Sequence, residues 1–133
     1  MSQENVELAH RAYDAVNRRD LETFLAFIDP EVEFVSGSAF FEGGSYRGHD
    51  GVRKWWRDIF SVYPDWRTEV LDVRDVGDDH LIASLRGRGH GAGSGVPIDQ
   101  VHWQLVQLRE GKVIWWRTYV SEAEALKAAG LSE

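Results

Sequence analysis

The feature that most constrains this chain is a change of period near its middle. Up to about residue 63, one short strand apart, the apolar residues recur at helical spacing; from about 66 to 120 they alternate as strands do. Strands are predicted near 66–73, 80–88, 96–108 and 112–120, with VGDD (76–79) and REGK (109–112) as hairpin turns. Helices first and antiparallel strands after make an α+β chain. A curved sheet closed at one end by helices leaves a concave side, and a cavity there is the expected binding site.

The first half supplies three helices. Residues 4–17 carry a stripe of Val6, Ala9, Ala12, Tyr13 and Val16, which NRRD interrupts. Asp20 is suited to cap a second helix whose buried face is Leu21, Phe24, Leu25 and Ile28, and Asp29-Pro30 is expected to end it. EVEFVS (31–36) alternates Val32 and Phe34 on one face, as a short strand does. SGSAFFEGGSYRGHD (36–50) reads as a loop that carries the rings of Phe40, Phe41 and Tyr46, a lid or a loop folded back on the body. The third helix runs from about Gly51 to Tyr63, with Asp50 as its cap, a stripe of Val52, Trp55, Trp56, Ile59 and Phe60, and Pro64 beyond it. Ser121 and Glu124 form a capping box for a tail helix that Gly130 stops.

At 133 residues, one domain spanning 1–133 is expected, and no internal repeat is visible. A net charge of -7 with no offsetting basic patch argues against a nucleic-acid partner. No apolar run reaches membrane-spanning length, and no basic segment leads into an apolar one at the N-terminus, so no membrane partner and a cytoplasmic location are expected. Without cysteine there is no disulfide, thiolate nucleophile or thiolate metal site. GHGAGSG (89–95) lacks the spacing of a phosphate-binding loop, and GAGSG (91–95) sits between strands, not at a strand-to-helix elbow. The histidines and acids show no metal-ligand spacing, so neither metal nor cofactor is expected. Six tryptophans suggest a core or cavity with large flat walls.

Three segments, AYDAVNRRDLETFLAFIDPEVEFVS, YRGHDGVRKWWRDIF and GSGVPIDQVHWQLVQLREGKVIWWRTYVSEAEAL, together resemble the SnoaL-like polyketide-cyclase branch of the nuclear-transport-factor-two-like, or ketosteroid isomerase-like, superfamily. The resemblance implies a cone-shaped, strongly curved, mostly antiparallel sheet wrapped over three N-terminal helices and enclosing a pocket. It also implies a small hydrophobic ligand in the cone and a homodimer through the outer sheet face. In the isomerase branch, the acid of the oxyanion hole sits in a triplet that Pro97, Ile98 and Asp99 match. The general-base position falls near Ser36, and the tyrosine position near Ala12, with Tyr13 one residue off. Epoxide hydrolases of the superfamily use an Asp–Arg–Asp set; Asp99 and Arg117 are present without an evident second inward acid. The paired histidines of its dehydratases have no counterpart among His10, His49, His80, His90 and His102.

Strand alternation then sorts the candidates. If Asp99 faces the cone, so do Val101, Trp103 and Leu105, while His102 and Gln104 face outward. On the next strand Trp116, Thr118 and Val120 line the cone, and Trp115, Arg117 and Tyr119 lie outside. A single bulge reverses this register. In the inward register Asp99 is an acid of raised pKa in an apolar cavity, aided by Tyr13 or His49. In the outward one it is an exposed acid at a strand start, or one paired with a neighbouring arginine. His49 beside Asp50 has the alternative role of ending the loop and capping the helix. Trp56, Phe60, Val101, Trp103, Trp116 and Thr118 are the expected ligand contacts. Three functions fit: a cofactor-free enzyme for isomerisation, cyclisation, dehydration or hydration, a non-enzymatic binder, and a dimeric interaction domain whose pocket has no role.

Overall fold

The computed structural model describes residues 2–38, 41–77 and 79–130. Helix α1 (Ser2–Asn17) and the short α2 (Leu21–Ala26) precede strands β1 (Ile28–Ser38) and β2 (Phe41–Arg47), and α3 (Gly48–Val62) follows. Then come β3 (Arg67–Asp75), β4 (His80–His90), β5 (Pro97–Arg109), β6 (Lys112–Tyr119) and the tail helix α4 (Glu122–Ala128). The six strands make one curved, unclosed sheet in the order β2-β1-β6-β5-β4-β3. Every neighbouring pair is antiparallel except β1 with β6.

The helices form where the sequence provides caps and stripes. Asp20 accepts hydrogen bonds from the Thr23 N–H at 3.2 Å and the Thr23 hydroxyl at 2.7 Å, satisfying an orphan donor at the start of α2. Ser121 caps α4 by accepting from the Glu124 N–H, and Gly130 at φ +83 ends it. Ala9, Ala12 and Ala15 are buried on one face of α1, and such small residues let the helix lie close to its neighbours. At its end Asn17 acts as a piece of strand. Its amide donates to the Thr68 carbonyl at 2.7 Å and accepts from the Thr68 N–H at 2.8 Å, closing part of the free edge of β3.

Three local expectations change. First, α2 stops at Ala26, and Asp29-Pro30 lies inside β1. Proline is tolerated there because the β1–β6 register shifts between Ile28 and Glu33, so no regular ladder bond is lost. Second, the segment read as a loop holds β2, which pairs antiparallel with β1 at Phe34↔Tyr46 and Ser36↔Gly44. The Tyr46 ring stacks on Phe34 at 5.0 Å, a tertiary contact that outweighs the low strand propensity of EGGS. Phe40 lies outside the described residues, as does the side chain of Phe41. Third, Asp50 is not the cap of α3. Arg47 occupies that position without a side-chain bond, and Asp50 stands in the first turn beside Arg53.

The core lies between the helices and the concave face. Its centre is aromatic: Phe34 stacks on Trp116 with centroids 3.8 Å apart, and Phe24 and Trp55 meet Trp116 edge-on. A second cluster sits on the convex face, where α4 covers Ile82 and Leu105 with Ala125. Trp115, Arg117 and Tyr119 are on that outer face, as the alternation of β6 predicts. Among the described residues no helix is long and apolar enough to cross a membrane.

Candidate functional site

A cavity of about 90 Å³ opens between the helices and the concave face. Since a water occupies roughly 30 Å³ of liquid and an apolar cavity of roughly 150 Å³ holds benzene, the space suits a few waters or a small molecule of at most about one ring. α1 contributes Leu8, Ala12 and Tyr13, and α3 contributes Trp55, Ile59 and Phe60. The sheet contributes Ser36, Thr68, Leu81, Leu85 and the inward faces of β5 and β6. Arg19, held at φ 60, lies over the Phe60 ring at 3.9 Å and donates to the Pro64 and Trp66 carbonyls, bracing that wall.

One extra residue decides which side of β5 faces this space. Glu110 and Gly111, at φ 54 and φ 78, make a two-residue turn of the primed type. The ladder pairs Leu108 with Val113 but Gln107 with Trp115, so Ile114 is a bulge. Without it Leu105 would sit opposite Trp116. With it Val106 does, and Gln104 faces Thr118. The inward set is therefore His102, Gln104, Val106 and Leu108, together with Val113, Trp116 and Thr118.

Asp99, Val101, Trp103 and Leu105 consequently turn outward, correcting the expectation that they line the cone. Asp99 is about half exposed, and both its oxygens accept from Arg86, from Nε and Nη2, at 2.7 Å each. The Arg86 guanidinium holds the Asp99 carboxyl below its ordinary range, the reverse of the raised pKa an acid in a dry pocket would have. Val101 is 39% exposed, and Trp103 packs in the cluster beneath α4. Val120 is exposed just beyond β6.

Tyr13, Phe60, Trp116 and Thr118 do line the cavity. Trp56 is not among the lining residues; it stands between Phe24 and Phe60, with centroids 5.5 and 5.2 Å away, and supports the wall. His49 is not at the cavity either. Its Nε2 lies 2.8 Å from the Ile28 carbonyl oxygen and ties α3 to β1.

The polar groups of the cavity form short relays. The Tyr13 phenol donates to Gln104 Oε1 at 2.5 Å, and Gln104 Nε2 donates to the Thr118 hydroxyl at 3.2 Å. Trp55 donates to Ser36 and Trp66 to Thr68, each at 3.0 Å. His102 is 4% exposed, and burial lowers its pKa to about 4, so its imidazole is neutral at neutral pH. Burial raises the Tyr13 phenol, which stays protonated. Among the described lining residues there is no Asp, Glu, Lys or Arg, and Tyr13 and His102 are the titratable ones.

Sequence reasoning missed His102, Gln104, Thr68 and Trp66 as cavity residues, whereas the resemblance places a site position near Ser36. Only the pairing of Gln104 with Thr118 would have pointed to the first two, and it depends on the bulge.

Comparison with known proteins places this architecture. The family model of the SnoaL-like domain matches residues 9–116. Solved structures match over nearly the full length. Bal32a, from a soil-derived mobile gene cassette, shares 18% identity at a TM-score of 0.80, with 95% of each chain covered. A putative SnoaL-like polyketide cyclase from Jannaschia sp. CCS1 shares 20% at 0.76, covering 97% of this chain and 92% of its own. TerC, co-crystallised with polyporic acid, shares 18% at 0.77, with coverages of 96% and 98%. No curated protein matches the sequence.

Proposed function

The chain belongs to the SnoaL-like domain family, and on that premise we propose that its cavity binds one small, largely hydrophobic molecule. The observation that carries this reading is the Tyr13–Gln104–Thr118 chain set into a largely apolar, aromatic wall. A few placed polar groups in an apolar hollow are what orients a small ligand. The co-crystal of TerC with polyporic acid, on the same fold, supports it. The test is a titration of tryptophan fluorescence with single-ring and flat bicyclic compounds, since Trp55, Trp66 and Trp116 line the space. Saturable change with at least one compound, together with a raised melting temperature, is expected. A flat response across the panel would refute the reading.

A cofactor-free isomerase- or cyclase-type reaction is the second reading, favoured by one observation: Tyr13 and His102 share the cavity. Such chemistry would require the Tyr13 phenol to turn its proton from Gln104 to the substrate, with the neutral imidazole as proton acceptor and Asp99 taking no part. Loss of turnover with retained binding in Tyr13→Phe and His102→Gln separates the enzyme from the binder. A homodimer through the outer sheet face belongs to the same proposal; exposed Val101, on the same face as Trp103, supports it. Light scattering of the wild type against Val101→Glu tests that part.

A further inference from the structure

We propose that the cavity selects an uncharged molecule whose polar atoms are hydrogen-bond acceptors, carbonyl or ether oxygens, and that Ser36, Thr68, Thr118 and Trp116 are the donors that select it. The proposal rests on the reading of the cavity as a ligand site and narrows it to a substrate class.

An indole N–H can only donate. The Ser36 oxygen therefore accepts from Trp55, and the Thr68 oxygen accepts from Trp66. Each of these hydroxyls keeps its own proton to give away. Thr118 is in the same position, because the Gln104 amide is oriented by distance. The 2.5 Å contact with Tyr13 suits O–H···O, and the 3.2 Å contact with Thr118 suits N–H···O. The amide nitrogen thus faces Thr118 and donates to it. The Trp116 indole N–H is buried in the same wall and has no hydrogen-bond partner among the described residues.

Three hydroxyls thereby keep a proton for this one space, and the buried, unmet indole N–H of Trp116 lies in its wall. A ligand that brings acceptor oxygens satisfies these protons; a hydrocarbon of the same shape leaves them unmet. Charge is selected against separately. With no Asp, Glu, Lys or Arg among the described lining residues, a carboxylate or ammonium would be desolvated without a counter-charge. His102, neutral because of its burial, supplies none.

Three probes of nearly one shape test this: acetophenone, α-methylstyrene and benzoate. α-Methylstyrene replaces the carbonyl oxygen with a methylene, and benzoate replaces the methyl ketone with an anion. Affinities are read from ¹H–¹⁵N spectra of the full chain, in which indole N–H signals are separate and Trp116→Phe assigns one of them. Acetophenone is expected to bind roughly tenfold tighter than α-methylstyrene and to shift the Trp116 indole signal, while benzoate does not bind at neutral pH. Thr118→Val should narrow the acetophenone-to-α-methylstyrene ratio, an internal comparison that a general loss of folding does not produce. Equal binding of the two neutral probes, or tighter binding of benzoate, leaves the ligand site standing and overturns the donor assignment. Binding of none of the three counts against the ligand site itself, and this proposal falls with it.

Discussion

Tyr13 and Gln104 stand 91 residues apart in sequence, yet the phenol of one donates to the amide of the other at 2.5 Å. The bond ties α1 to β5 across the cavity and fixes the amide that addresses Thr118. Tyr13→Phe removes the donor and leaves a partly buried acceptor unmet, so a loss of about 1–2 kcal/mol is expected from urea unfolding. The alkaline limb should change too. Burial raises the Tyr13 pKa, so the folded chain keeps a proton that the unfolded chain releases above its ordinary value near 10. The stability this confers is complete below that pH and falls as pH rises toward the folded value. The phenylalanine variant should show a flatter alkaline limb.

His102 sets the mildly acidic limb. Its pKa falls from 6.5 to about 4 on folding, because burial disfavours the imidazolium. Between those values the unfolded chain binds the extra proton and the folded chain does not, so stability drops as pH falls through that window. A full displacement of this size corresponds to on the order of 3 kcal/mol. Urea midpoints measured from pH 7 to pH 5 should decline in the wild type and stay nearly level over the same range in His102→Gln. Parallel slopes in the two proteins would mean that other groups carry the transition.

Asp99 tests the bulge. Both of its oxygens are engaged by Arg86 on the outer face, where exposed ion pairs contribute little. Asp99→Asn should leave ligand affinity, any turnover and the urea midpoint close to wild type. A variant that lost binding or turnover while remaining folded would place the carboxyl back in the cavity.

The sequence reveals much of this fold and rather little of its site, and β5 with β6 shows why. The strands, the helical stripes and the caps at Asp20 and Ser121 are local features, written in spacing and side-chain type. The face that β5 presents is not local. It depends on whether Ile114 is paired or bulged, and nothing in KVIWWRT distinguishes the two. Because side chains alternate strictly, that one residue exchanges Asp99, Val101 and Trp103 for His102 and Gln104. β2 was hidden for a related reason: glycine and serine show no strand preference, and the segment is held by pairing with β1 and by the Tyr46–Phe34 stack.

Gly87 is where the cavity wall is most tightly specified. A methyl group there would lie 2.3 Å from Cζ2 and 2.4 Å from Cη2 of Trp66, and 3.3 Å from Cε1 of His102. The indole edge lies against the backbone of β4 because no side chain intervenes. Strand propensity alone would favour alanine over glycine by roughly 0.5–1 kcal/mol. The clash outweighs it, because Trp66 is held on its other sides by Tyr63 at 5.7 Å and by its bond to Thr68. Gly87→Ala is expected to cost on the order of 2 kcal/mol and to shift the Trp66 fluorescence. Gly44→Ala is the matched control: it is also a strand glycine, with nothing within 4 Å of the added carbon, and should be neutral or slightly stabilising. Equal stability of the two variants would show that the indole can leave β4 freely. The wall formed by Trp66, Thr68 and His102 would then be adaptable, and the cavity could accept ligands larger than one ring.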